Sequence, residues 1–179
     1  MNLREIHITD AEDFLYLLAQ IERESPYTLL EPGERTTSVR EQREEIDLVL
    51  SRPNQMIWVA EDRDHLIGWI GAFGEPYRRV HHSVLIGVGV LEAYRQQGIG
   101  TRLFEMLEAW AWQRNIRRLE LHVANENKAG LTLYRKMGFQ IEGTRRDSYC
   151  IDGQYLDEYV MAKILHQPEP PRKNLYPKW

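Results

Sequence analysis

The stretch AYRQQGIGTRLFEMLEAWAW, residues 93–112, passes from a glycine-containing loop directly into an amphipathic helix. Apolar side chains recur at helical spacing from Ile99 through Leu103 to Trp110. The apolar run VLIGVGVL, residues 84–91, precedes the loop and predicts a strand. Backbone N–H groups at a helix start can converge on an anion, and glycine leaves room for one. The loop is therefore either an anion-binding loop or a simple strand-to-helix turn.

Two common nucleotide-binding patterns do not fit this loop. A P-loop requires a lysine after its last glycine, whereas Thr101 follows Gly100. A dinucleotide-binding pattern starting at Gly98 would need a small residue where Leu103 stands, and one starting at Gly87 fails at Glu92. Nucleoside triphosphate and dinucleotide sites are thus poorly supported, and both interpretations of the loop stay open.

The rest of the chain alternates between strand-like and helix-like apolar patterns. Thr9 with Glu12, and Ser38 with Glu41, have the spacing of capping boxes at two helix starts. The central run 84–91 is almost continuously apolar, which favours a strand covered on both faces, and its glycines suggest a bulge or a close approach. Strands are predicted near residues 3–8, 56–73 (two strands), 83–91, 117–123 and 139–165 (a hairpin), and helices near 9–24, 38–50, 99–114 and 129–138.

Composition narrows the class of protein. With 179 residues, 42% of them hydrophobic, the chain can form one domain with a substantial core. A net charge of -4 argues against a nucleic-acid surface. No segment has the pattern of a signal peptide or a membrane span, so a cytoplasmic location is expected. The single cysteine, Cys150, excludes an internal disulfide and a Cys-based zinc site, and is expected to be a half-buried strand residue.

A second motif lies about thirty residues beyond the loop. The pattern Arg95-x-x-Gly98-x-Gly100 is followed by a segment with Asn127, Gly130, Leu133, Tyr134, Gly138 and Phe139. Together they resemble the GNAT superfamily of acetyl-CoA-dependent N-acetyltransferases, whose second pattern is N-x-x-A-x-x-L-Y-x-x-x-G-F. Gly130 replaces the usual alanine. The segment EGTRRDSYCIDGQYLDEYVMAK, residues 142–163, resembles the branch of ribosomal-protein N-terminal, polyamine and phosphinothricin-type acetyltransferases.

The resemblance implies an α/β fold. Its centre is a mixed, mostly antiparallel sheet of about seven strands with a splayed central strand pair, flanked by about four helices. Residues 1–165 would form a single acetyltransferase domain. The proline-rich tail, residues 166–179, would be an extended end or an arm packed on this or another subunit.

The same resemblance implies an acetyl-CoA site. The amides of the loop would hold the pyrophosphate, Val88 and Val90 would bind the pantetheine through their backbone, and Asn127 would fix the next helix and the cofactor. The cofactor-binding residues so implied are Val88, Val90, Arg95, Gln96, Gln97, Gly98, Ile99, Gly100, Thr101, Asn127 and Tyr134. No metal is expected.

The implied reaction is direct attack of an amine on the thioester through a tetrahedral intermediate, with a backbone N–H such as that of Val88 stabilising the oxyanion. Tyr134 would be the general acid for the departing thiolate. Its alternative role is a core aromatic at helical spacing with Leu131 and Met137. Many relatives carry a glutamate in the central strand, but residues 83–91 contain none.

Three other side chains are candidates for the general base, namely Glu120 and His122 on one face of the next strand and His82 just before the central strand. Glu31, in a Leu-Leu-Glu-Pro context, is the candidate for binding the substrate amine. The acceptor would be a primary amine of a small molecule or a peptide N-terminus. A non-catalytic acyl-CoA-binding regulator or an interaction module is the alternative. No nucleic-acid or membrane partner is expected, and a homodimer is compatible with the pattern.

Overall fold

The structure is a computed structural model that describes residues 1–166 of the chain. The predicted tail, apart from His166, lies outside the described residues. Residues 1–166 contain four α-helices and seven strands, with short 3-10 turns at Ile8–Asp10 and Glu92–Tyr94. The elements are β1 (Asn2–Glu5), α1 (Ala11–Glu24), α2 (Val39–Ser51), β2 (Gln55–Asp62), β3 (His65–Gly74), β4 (Ser83–Val90), α3 (Ile99–Gln113), β5 (Arg118–Ala124), α4 (Lys128–Lys136), β6 (Gln140–Ile151) and β7 (Gln154–Ile164).

The seven strands form one sheet in the order β1-β2-β3-β4-β5-β7-β6. Only the neighbours β4 and β5 run parallel in the described sheet, and the other five pairs are antiparallel. The predicted mixed, mostly antiparallel sheet is therefore confirmed. No helix within residues 1–166 is long and apolar enough to cross a membrane.

The central strand pair is splayed, as predicted. β4 pairs with β3 along its whole length, as far as Val90 opposite Gly68. Its pairing with β5 covers only three positions, from Ser83 opposite Arg118 to Leu85 opposite Glu120. Beyond Leu85 the two parallel strands separate and leave a gap.

The helices cover the two faces of the sheet unequally. α3 and α4 cover one face, where a large core includes Phe104, Leu107 and Leu119. α1 and α2 cover the other face over β2, β3 and the Gly89 end of β4, in a second core that includes Phe14 and Ile46. On that second face the strands β5 to β7 and the start of β4 around Leu85 have no helix above them among the described residues, and we call this surface the open face.

The central strand differs from the prediction. Val84 and Ile86 are buried, but Leu85 is 46% exposed because it points to the open face, so β4 is covered on both faces only toward its Gly89 end. A bulge is also absent, since the β3–β4 register is unbroken. The close approach is real: a Cβ on Gly87 would lie 2.8 Å from the Trp69 ring, and one on Gly89 would lie 2.8 Å from Ile21 Cδ1.

The N-terminal helix also begins differently. The expected capping box of Thr9 and Glu12 does not form; instead Asp10 accepts a hydrogen bond from the His7 N–H at 2.7 Å, and α1 begins at Ala11. Asp10, three residues after His7, accepts this hydrogen bond as a glutamate does in a capping box. Arg4 Nη1 also donates to Asp10 Oδ2 at 2.7 Å.

Two further local predictions can be compared with the structure. The capping box of Ser38 and Glu41 at the start of α2 is confirmed. Cys150 lies in β6 as predicted, but it is exposed rather than half-buried.

Candidate active site

The gap between β4 and β5 exposes backbone polar groups of the central strand. The Leu91 N–H, just after β4, donates to the Ile67 carbonyl at 3.0 Å. The backbone N–H and C=O groups of the odd-numbered residues of β4 therefore point toward β3. By alternation, the N–H and C=O groups of Val88 and Val90 point toward the gap. Arg95 Nε donates to the Val90 carbonyl at 3.0 Å, which agrees with this direction. A ligand that carries amide groups can satisfy such unpaired positions.

The loop that follows β4 places several amides at the start of α3. Gly98 is the N-cap, with φ of 80°, and it has no side chain to cap the helix. The first intrahelical bond runs from the Arg102 N–H to the Gly98 carbonyl at 3.1 Å, so the amides of the preceding first-turn residues have no helical partner. These orphan donors and the positive end of the helix dipole favour an anion.

The remaining loop residues keep this helix start accessible. Gln96 has φ of 61°, and residues 95–98 are all exposed. The Gln97 side chain folds back and donates to the Ala93 carbonyl at 3.0 Å. The seven loop residues predicted to bind the cofactor therefore lie together at one helix start.

Helix α4 packs against the start of α3. A Cβ on Gly100 would lie 2.9 Å from Leu133 Cδ2, so glycine permits this contact. Lys136 Nζ donates to Thr101 Oγ1 at 3.1 Å and brings a positive charge to the loop. Sequence reasoning missed Lys136, because only the packing of the two helices brings it to Thr101.

Tyr134 has its ring in the core. The residue is 8% exposed, and its ring packs edge-on against Phe104 with centroids 5.9 Å apart. Its hydroxyl has no hydrogen-bond partner within residues 1–166. Burial raises the pKa of Tyr134 to about 12, so the phenol stays protonated at neutral pH. The expected core role is present, and the hydroxyl remains available as a donor.

Asn127 is the N-cap of α4. Its Oδ1 accepts a hydrogen bond from the Gly130 N–H at 2.9 Å. A Cβ on Gly130 would lie 2.9 Å from Asn127 Nδ2, so alanine at this position would require a small shift of the Asn127 side chain. The side chain thus fixes the helix that carries Tyr134.

Two of the three candidate bases lie together on the open face. Leu119 and Leu121 point into the core, so Glu120 and His122 alternate to the opposite side. Glu120 Oε1 is 3.6 Å from His122 Nε2. Arg118 Nη2 binds Glu120 Oε2 at 2.7 Å, and Arg145 Nη1 lies 3.3 Å from His122 Nδ1. Both side chains are therefore part of a charged network beside the gap.

The third candidate, His82, is elsewhere. It precedes β4 by one residue, six positions before Val88, which is about 20 Å at ~3.3 Å per residue. Its carbonyl accepts hydrogen bonds from the N–H groups of Arg117 and Arg118 at 2.8 and 3.0 Å. The fold does not bring the His82 imidazole to the gap.

The loop between α1 and α2 reaches over to the other side of the open face. The Tyr27 hydroxyl donates to the Glu126 carbonyl, with the oxygens 3.4 Å apart. Burial raises the pKa of Tyr149 in β6, and the carboxylates of Glu158 and Glu31 raise it further. Glu31 therefore lies near Tyr149 of the β6–β7 hairpin. Glu158 also lies near Tyr149, and the sequence did not predict this neighbour.

Glu158 shares the open face with His122 because of the strand register. His122 pairs with Val160, and Ala124 pairs with Glu158, so these side chains project to the same side. The Glu158 side chain is 14% exposed and its Oε2 is 2.9 Å from Arg145 Nη1. Only the hairpin register, which the sequence does not specify, could have identified it.

Comparisons with known proteins agree with this geometry. The model of the acetyltransferase (GNAT) family matches residues 15–139. The L-amino acid N-acetyltransferase AaaT of Escherichia coli (strain K12) is 32% identical over 87 residues, 48% of this chain and 54% of that protein. The chain spans between 54% and 63% of the length of AaaT and of two N-acetyltransferases of Bacillus subtilis.

Solved structures share the fold over nearly the whole chain. A GNAT-family acetyltransferase from Streptococcus pneumoniae superposes with a TM-score of 0.89 at 28% identity, covering 92% of this chain and 99% of that one. A phosphinothricin acetyltransferase from Sinorhizobium meliloti in complex with acetyl-CoA gives a TM-score of 0.81 at 19% identity, covering 98% and 95%. The predicted fold class is confirmed, and the chain belongs to the GNAT family of acetyltransferases.

Proposed function

We propose that this protein transfers an acetyl group from acetyl-CoA to a primary amine. The observation that carries the proposal is the juxtaposition of two donor features: strand β4 separates from β5 after Leu85, and the loop after β4 presents orphan amides at the start of α3. The first suits a ligand that carries amides, and the second suits a phosphate. The acetyl-CoA complex of the Sinorhizobium meliloti enzyme, which has the same fold, supports this assignment.

The loop residues would bind the pyrophosphate of the cosubstrate. The amides of Gly98, Ile99, Gly100 and Thr101 are oriented by the helix start, and Lys136 adds a cation next to Thr101. The backbone groups of Val88 and Val90 would pair with the amides of the pantetheine arm. Arg95 would have to release the Val90 carbonyl to allow this pairing.

Transfer would then proceed by direct attack. The amine nitrogen forms a bond to the acetyl carbon, the carbon–sulfur bond breaks, and the products are an acetamide and the free thiol. The Val88 N–H would donate to the acetyl oxygen while it carries negative charge in the tetrahedral intermediate. The Tyr134 hydroxyl would donate to the departing sulfur, because it is protonated and has no other partner in the described chain.

The amine also loses a proton. Glu120 and His122 are the candidates that adjoin the gap, and they could act directly or through a water molecule. Leu85 pairs with Glu120, so His122 lies two residues further along the widening side of the gap. Because both of its ring nitrogens face charged neighbours, we favour the Glu120–His122 pair as a unit over His122 alone.

The open face would receive the acceptor amine. Glu31 from the α1–α2 loop and Glu158 from β7 approach Tyr149 from different elements, and their charges favour a cationic acceptor. A small-molecule amine and a peptide N-terminus both satisfy this condition. The absence of a glutamate in β4 is the observation that favours the second candidate, an acyl-CoA-binding regulator without turnover.

Release of free thiol from acetyl-CoA across a panel of amines tests the proposal. The panel would include polyamines, free amino acids and short peptides with free N-termini. We expect saturable turnover with at least one class of amine. Saturable binding of acetyl-CoA without turnover on any amine would favour the regulator, and absence of binding would refute the proposed cofactor site.

A further inference from the structure

One carboxylate from α1 contacts the loop that precedes α3. Glu24 is the last residue of α1, and its Oε2 accepts a hydrogen bond from the Glu92 N–H at 2.6 Å. Glu92 opens the 3-10 turn that leads into the loop. The contact joins residues that are 68 positions apart, so it ties two separate parts of the fold together.

The same carboxylate faces the first residue of the loop. Arg95 Nη2 lies 3.9 Å from Glu24 Oε2, while Arg95 Nε donates to the Val90 carbonyl at 3.0 Å. The guanidinium is thus held between the end of α1 and the end of β4. Arg95 is followed by two positions with positive φ, Gln96 and Gly98. A loop with such backbone angles needs contacts from outside itself to keep one conformation.

Local electrostatics disfavour a carboxylate at this position. A negative charge at the C-terminal end of a helix opposes the helix dipole, and here it also lies beside a loop suited to anions. Surface charge that merely aids solubility would be better placed elsewhere on α1. The contacts with Glu92 and Arg95 are what offset this unfavourable placement.

We propose that Glu24 is a positioning residue that fixes the anion-binding conformation of residues 92–98 before the cosubstrate binds. The carboxylate anchors the start of the 3-10 turn through Glu92, and its charge keeps the Arg95 guanidinium beside the loop when Arg95 Nε leaves the Val90 carbonyl on cosubstrate binding. The identity of the anion rests on the proposed function, but the anchoring of the loop does not.

Two variants separate the hydrogen bond from the charge. Glu24→Ala removes both, whereas Glu24→Gln keeps an oxygen that can accept from the Glu92 N–H. Glu44→Ala is the matched control, because Glu44 forms an exposed ion pair with Arg40 within α2. Hydrogen–deuterium exchange of residues 91–98 in the free protein and calorimetric titration with CoA are then measured for all four proteins.

We expect faster exchange in residues 91–98 and about 3- to 10-fold weaker CoA binding for Glu24→Ala. Glu24→Gln should lie between Glu24→Ala and the wild type, and the control should match the wild type. The KM for acetyl-CoA should rise in parallel, with kcat changed less than about twofold because chemistry at Tyr134 is untouched.

Unchanged exchange in Glu24→Ala would overturn the proposal, whatever the binding result. Tighter CoA binding in both variants would also overturn it, because the carboxylate would then act only by repelling the anion. If the wild type failed to bind CoA, the proposed function would fail, while the exchange experiment would still decide whether Glu24 positions the loop.

Discussion

Replacement of Tyr134 by phenylalanine gives the sharpest test of the proposed chemistry. The change removes one hydroxyl that has no partner within residues 1–166 and leaves the ring packed against Phe104. The pKa of Tyr134, about 12, exceeds that of an ordinary thiol, ~8.5, by about 3.5 units. Complete proton transfer to the departing thiolate would thus be uphill by about 5 kcal/mol, so we expect a strong hydrogen bond instead.

A hydrogen bond to a charged group contributes about 1.5–3 kcal/mol, which corresponds to roughly a 10- to 150-fold change in rate. Tyr134→Phe should therefore lower kcat by that factor and change the KM for acetyl-CoA less than about threefold. Steady-state kinetics of thiol release measure both constants. Tyr155→Phe, at an exposed position of the β6–β7 hairpin, is the control and should behave as the wild type.

The same variant has a signature in stability. The folded pKa of Tyr134 lies above the ordinary value of ~10, so its contribution to stability is present below pH ~10 and is lost as the pH rises toward 12. A shift of about two units corresponds to about 2.7 kcal/mol, and Tyr134→Phe should lack this alkaline loss. Full activity in Tyr134→Phe would refute the hydrogen bond from the hydroxyl to the departing sulfur, and an equal alkaline loss of stability would refute the burial of the phenol.

Three further substitutions, one of them with a matched control, test the supporting structure. Gly98→Ala places a Cβ on a residue with φ of 80°, and this Cβ has no contact within 4 Å. Unfolding in denaturant should show that stability falls by about 1–2 kcal/mol, because of backbone strain alone. No loss of stability would mean that the loop adopts another conformation. Gly87→Ala brings a Cβ to 2.8 Å from the Trp69 ring and should cost about 1–3 kcal/mol in thermal unfolding, whereas Gly143→Ala, with open space around it, should be nearly neutral; equal effects would contradict the close approach. Burial by itself raises the pKa of Asp10, but hydrogen bonds from Arg4 and the His7 N–H lower it below its ordinary value. The Asp10 carboxylate therefore stabilises the fold above pH ~3.9, and this contribution is lost as the pH falls through the lowered pKa. Asp10→Asn should flatten the fall of stability with pH below pH ~3.9, and a fall as steep as that of the wild type would argue against the Arg4 contact.

The sequence predicts the fold well because its two motifs and its apolar periods agree. The order of seven strands and four helices, the Ser38 cap and the splay of the central pair are confirmed. The sequence predicts the wrong start for α1 because Asp10 and Glu12 both lie where a capping carboxylate can act. The contact of Asp10 with Arg4 in β1, which the sequence does not show, selects Asp10.

Solvent exposure of single strands was harder to predict. The run 84–91 is apolar throughout, yet Leu85 lies on the open face because α1 reaches β4 only near Gly89. The extent of a helical layer depends on tertiary packing, which the period of one strand does not encode.

In the candidate site, residues close in sequence could be predicted and residues from distant segments could not. Residues of the loop lie close in sequence, so their grouping at the start of α3 could be predicted. The neighbours that come from distant segments, such as Lys136, Glu158 and Glu24, depend on helix packing and strand register and could not. His82 shows that closeness in sequence to the central strand is a weak guide, because it lies six residues before Val88, at the other end of β4.

The exposed position of Cys150 has a practical consequence for thiol chemistry. It is the single cysteine of the chain, so a thiol reagent that quantifies released CoA will also titrate one equivalent of the enzyme. At micromolar enzyme the signal from Cys150 equals the CoA released in a single turnover. The Cys150→Ser variant lacks this signal. The same property allows stoichiometric maleimide labelling of the wild-type chain at one site on β6, which leaves the α3 loop unmodified.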